Sequence, residues 1–165
     1  MARSTILGSA LVLALSVPAV WAQSKYDGPR PPKADVPYLL HAASLIETEK
    51  GEAKEETRKD AVANVMAGAS SPARTPLAEP IFLIATQKLS AERIELYRMD
   101  AGKNGREVVI PTNPKKRDKG PRPLRLSMRQ LEPGLFRIEA NEYLENGEYC
   151  LTPSGSQTVF CFQVY

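Results

Sequence analysis

From residue 81 to the C-terminus, apolar and polar positions alternate with a period of two, the pattern of strands that bury one face. Leu124, Leu126 and Met128 share a row opposite Arg125 and Ser127, while Ile94, Leu96 and Arg98 lie opposite Arg93, Glu95, Tyr97 and Met99. Residues 81–86 form a nearly continuous apolar run, short enough for a buried strand. Residues 100–105 end in an Asn104-Gly105 step, which predicts a tight turn returning residues 106–110 as a partner strand. Further strands are expected over residues 136–140, 148–152 and 158–165. Counted from Tyr38 there are about nine strands, none followed by the amphipathic helix that a parallel sheet requires. The expected fold is mainly β, a single antiparallel β-sandwich.

The N-terminal half is less regular. Residues 38–49 read as an apolar strand running into charge, and residues 52–66 resume after Lys50-Gly51, a pair suited to a hairpin turn. A solvated helix competes, with Glu55 and Lys59 one turn apart and Ala53, Thr57 and Ala61 on a stripe. That stripe is too thin to bury much, so a hairpin over residues 38–66 is favoured. Prolines at 72, 76 and 80 make residues 67–80 an irregular connection, and residues 80–165 hold the best-defined core.

One pattern occurs twice: Leu, Glu, a turn residue, Gly, any residue, an aromatic, any residue, an aliphatic. Residues 131–138 and 144–151 both carry it. Each copy predicts a corner at Gly134 or Gly147, then a strand whose aromatic, Phe136 or Tyr149, shares a face with the aliphatic two positions on. The second copy resembles the tyrosine corner of immunoglobulin-like sandwiches, where the hydroxyl anchors on nearby backbone. Leu151 stands where an antibody-type domain carries its inter-sheet cysteine, which disfavours that subclass.

The last two strands can be registered from their side chains. Facing Leu151 with Phe160 and Tyr149 with Phe162 puts the large apolar groups on one face, with Ser154, Gly155, Ser156 and Gln157 as the loop. Cys150 then lies opposite Cys161 on the other face, where a cross-strand disulfide worth about 2–3 kcal/mol is feasible. Two free thiols or an intermolecular link remain the alternatives. The Leu-x-Pro-Gly-x-aromatic corner, the loop at residues 152–156 and the ending Val159-Phe160-Cys161-Phe162 resemble exported bacterial proteins of uncharacterised function with a C-terminal immunoglobulin-like β-sandwich. The resemblance covers roughly residues 80–165, with echoes at residues 38–42. It implies a fold and a compartment and carries no activity.

The N-terminus reads as a secretory leader: Arg3, an apolar stretch over residues 6–17, and Val20-Trp21-Ala22 with cleavage expected after Ala22. The stretch is shorter than the roughly 20 residues a membrane-crossing helix needs, so no span is expected in the mature chain. Residues 23–37 carry four prolines and read as an extended strap before a domain at residues 38–165. The leader holds one arginine and no acid, so the net charge falls from +3 to +2 on cleavage, which argues against a nucleic-acid partner. Lys115, Lys116, Arg117, Lys119 and Arg122 form a basic, proline-flanked loop with the chemistry to dock an anion; a solvated loop is the plainer reading.

No catalytic, metal or cofactor constellation stands out, and none is expected. The one histidine, His41, sits in an apolar run without a Gly-x-Ser-x-Gly elbow to serve it. Glu132 with Glu139 and Glu142 with Glu145 are the acid pairs on offer for general acid-base work. Taken together, these features point to an exported, periplasmic or extracellular, non-enzymatic module that binds a protein or glycan of the cell envelope. An exported hydrolase-type enzyme and an outer-membrane-associated β protein, suggested by the terminal Tyr165, are the alternatives.

Overall fold

The computed structural model of the protein describes residues 25–113 and 120–165. The leader at residues 1–22 and four residues of the basic loop, Lys115, Lys116, Arg117 and Lys119, lie outside the described residues. The strands are β1 (Tyr38–His41), β2 (Ser44–Glu47), β3 (Glu49–Glu52), β4 (Lys54–Arg58), β5 (Ala61–Met66), β6 (Arg74–Thr75), β7 (Ile81–Ala85), β8 (Ile94–Gly102), β9 (Gly105–Pro111), β10 (Leu126–Glu132), β11 (Leu135–Ala140), β12 (Gly147–Pro153) and β13 (Thr158–Val164). A 3-10 turn, Ala91–Arg93, precedes β8, and no helix of the described residues is long and apolar enough to cross a membrane.

The strands pack as an antiparallel β-sandwich. One sheet has the order β10, β11, β7, β1, β2; the other runs β3, β13, β12, β8, β9, β5, β4, with β6 added in parallel to β13. Ile46, Leu39, Phe82, Ile138 and Met128 are successive cross-strand partners in the first sheet. Leu96, Leu151 and Phe160 form the matching row in the second, and the two rows share one core. Phe82 meets Phe162 edge-on at 5.0 Å, and Tyr149 stacks on Phe162 at 5.7 Å. Burying each such ring contributes about 1.5–3 kcal/mol.

The closing hairpin has the register its side chains require. Tyr149 pairs with Phe162, Leu151 with Phe160 and Cys150 with Cys161. The Tyr149 hydroxyl donates to the Glu145 carbonyl at 2.8 Å, tying the start of β12 to the connection before it. The two repeated corners differ in kind. Gly134, at φ 76°, turns the β10–β11 hairpin within one sheet, whereas Gly147 has no left-handed backbone and opens β12 after the chain has crossed between sheets. Phe136 packs against the main core on the face it shares with Ile138.

The expected turn at Lys50-Gly51 is corrected. Both residues lie inside β3, where Lys50 pairs with Phe160 and Gly51 with Val159. Residues 38–66 hold two hairpins, turning at Ala42-Ala43 and Lys59-Asp60, with β3 between them. A glycine is needed at 51 for packing: a Cβ there would collide with the Met66 side chain. The competing helix over residues 52–66 is absent: β4 is solvated along most of its length and pairs with β5, which supplies the buried residues Ala63, Val65 and Met66.

One feature of topology governs the site. Residues 49–58 form a continuous extended run, interrupted as a paired strand only at Ala53; its first part pairs with β13 and its second with β5. The second sheet thereby closes on itself as a barrel, and β8, β12 and β13 are buried on both faces.

The proline-rich segment is strapped along the first sheet. Ala34 bridges Ala85 in parallel, the Asp35 amide donates to the Ala85 carbonyl at 2.7 Å, and Val36 enters the core. Arg30 pairs with Glu132, and Lys33 with Glu47. Burial disfavours the Asp35 charge, but the amides of Gln87, Leu89 and Lys88 outweigh it and hold the carboxyl below its ordinary value; Lys33 lowers Glu47 and Arg30 lowers Glu132. Depressed carboxyls stabilise the fold fully above their ordinary values and lose that contribution as they are protonated. The melting temperature should be level above about pH 5 and fall below about pH 4.5, and Asp35→Asn should lower it at neutral pH while flattening the acid limb in dichroism melts.

Candidate functional site

Strand alternation turns every second residue of the wall into the barrel. Tyr97 and Met99 come from β8, Cys150 and Thr152 from β12, Val159 and Cys161 from β13, Asn64 and Met66 from β5, and Val108 and Ile110 from β9. Ala53, at the junction of β3 and β4, completes this second core.

Arg106 closes one end of the barrel. It is 1% exposed and its guanidinium donates to Glu49 at 2.9 Å, to Glu148 at 3.1 Å and to the carbonyls of Ala67 and Gly68 at 3.1 and 3.0 Å. Ser70 and the Ser71 amide also donate to Glu148, so each charged group of the cluster has protein partners.

The other end is open. β8 and β9 pair only from Asp100 with Glu107 to Gly102 with Gly105, and beyond that they part. A cavity of about 460 Å³ lies between them, within the size range of small-molecule sites. Met99, Val108, Cys150 and Val159 line its apolar depth, and Glu55, Asn64, Glu95, Thr152 and Gln157 its polar parts. No lysine, arginine or histidine is among the lining residues. The Tyr97 hydroxyl donates to Glu95 at 3.1 Å; burial, then this bond, push the phenol above its ordinary value.

The residues singled out by sequence fall as follows. Cys150 and Cys161 are joined as a disulfide with Cα atoms 4.0 Å apart, in the wall on the lumen side. Gly134, Phe136, Gly147 and Tyr149 belong to the sandwich and stand apart from the cavity. Arg122, the one base of the basic loop among the described residues, pairs with Glu142 at 3.1 and 3.0 Å, and Arg122 with the Arg125 amide holds that carboxyl down to about 2. The acid pairs are drawn into separate ion pairs, Glu132 with Arg30, Glu139 with Arg137, Glu142 with Arg122 and Arg125, and Glu145 with Arg98. His41 Nε2 lies 2.7 Å from the Thr75 hydroxyl, a buried side chain that also accepts from the Leu77 amide. Among the described residues, no three His, Cys, Asp or Glu side chains gather as a metal site would need.

Sequence reasoning missed Glu55, Asn64, Glu95 and Arg106. The signal available was the unalternating Val159-Phe160-Cys161-Phe162, apolar on both faces, together with Tyr97 and Met99 on the row opposite Leu96. Compared with protein-family models, with curated proteins and with solved structures, the chain matches none.

Arg106→Leu should lower the unfolding free energy in urea by about 3 kcal/mol, because it removes a buried guanidinium and leaves two partly buried carboxylates without their shared partner. Arg58→Leu, which removes a partly exposed pair with Glu107, should cost about 1 kcal/mol or less.

Proposed function

We propose that the protein works outside the cytoplasm as a non-enzymatic binding module that receives a small molecule with an apolar body in the barrel cavity. The observation that carries this reading is the cavity of about 460 Å³ itself, apolar in its depth and polar in a few places, the make-up of a ligand site. The depth is packed on both sides. Behind it stands the sandwich core, and beneath it the Arg106 cluster and the disulfide.

Export is supported by the leader pattern and by a disulfide, which persists in oxidising compartments. A role in binding rather than chemistry is supported by the local ion pairs that occupy Glu132, Glu139, Glu142 and Glu145. The ligand is expected to be a component of, or a molecule passing through, the cell envelope.

The test uses N-phenylnaphthylamine, a neutral fluorophore that brightens in apolar surroundings. The protein should bind it saturably and one-to-one. Val62→Trp, which places a large side chain in the cavity from β5, should abolish binding while leaving the melting temperature within about 4 °C of wild type. Unsaturable brightening, or equal binding by the folded Val62→Trp protein, would contradict the reading.

A further inference from the structure

We propose that this cavity selects a cation, a small molecule with an apolar body and one ammonium group, such as an alkylamine. The inference rests on the cavity being a ligand site and adds the sign of the charge it accepts.

Bases outnumber acids in this chain, with a net charge of +3, yet the charged residues lining the cavity are two glutamates, Glu55 and Glu95. Among the described residues, neither has a lysine or arginine within ion-pair distance, whereas nine other glutamates do. Lys54 is next to Glu55 in sequence, but alternation sends it to the exposed outer face of β4.

The two carboxylates belong to different walls. Glu55 is on β4 beside Asn64 of β5, and Glu95 is on β8 beside Thr152 of β12, across the space left where β8 and β9 part. Tyr97 donates to Glu95 and steadies it there. Two carboxylates lining one cavity with no basic residue in its lining give it a negative potential, which attracts a cation, leaves a neutral occupant unaffected and opposes an anion. Met99, Val108, Cys150 and Val159 are buried in the same cavity and receive the apolar body.

The test compares octylammonium, octanol and octanoate, matched in chain length and differing in charge, by calorimetric titration of the protein at fixed ionic strength. Octylammonium should bind about tenfold more tightly than octanol, and octanoate more weakly than octanol. In Glu55→Gln/Glu95→Gln, the ratio of octylammonium to octanol affinity should fall to about one. Equal affinities of octylammonium and octanol for the wild-type protein would overturn the charge proposal and leave the cavity reading standing. No saturable binding of any of the three would overturn both. The three-ligand comparison on wild type decides the matter even where the double variant fails to fold.

Discussion

A single extended run, residues 49–58, is shared between two neighbours. Before Ala53 it extends the sheet beyond β13, and after Ala53 it pairs with β5, so the two ends of the second sheet are one piece of chain. The Ala53 amide donates to the Gln157 carbonyl at 2.8 Å at the point of transfer. Closing the sheet turns the outer face of β8, β12 and β13 into the lining of an interior, and that wall must then be apolar on both sides. The barrel core and the cavity follow from this one closure.

A barrel this narrow fills with its own side chains unless its wall opens. Here the opening comes from the short β8–β9 pairing, which keeps the strands together at their hairpin and lets them diverge toward Glu95 and Ile110. The buried guanidinium of Arg106 occupies the opposite end and joins β9 to β3 and β12. The disulfide fixes the β12–β13 register on the same face. Each of these features holds the walls at a set distance, which is what a preformed site requires.

The sandwich was readable because its strands alternate and its closing hairpin admits one register: Tyr149, Leu151, Phe160 and Phe162 must face inward together. The barrel was hidden for a physical reason. β4 reads Lys54-Glu55-Glu56-Thr57-Arg58, charged on the outer face and polar on the inner, so no apolar period marks it as a wall. The turn after β1 was hidden as well, since Ala42 adopts φ 51° without the Asn or Gly that usually signals such a turn, at a cost of about 1 kcal/mol. Lys50-Gly51 misled because glycine was read as a turn former when its role is to leave room for Met66. Glu55 and Glu95 could be found only once their two strands were brought to one space.

Closure at Ala53 is open to direct observation by nuclear magnetic resonance. In one sample, cross-strand proton contacts of Glu52 with Thr158 and of Lys54 with Val65 should both be present, with the Ala53 amide protected from exchange. Contacts on one side without those on the other, or an Ala53 amide that exchanges as freely as a loop, would show that the sheet is open and the cavity has no second wall.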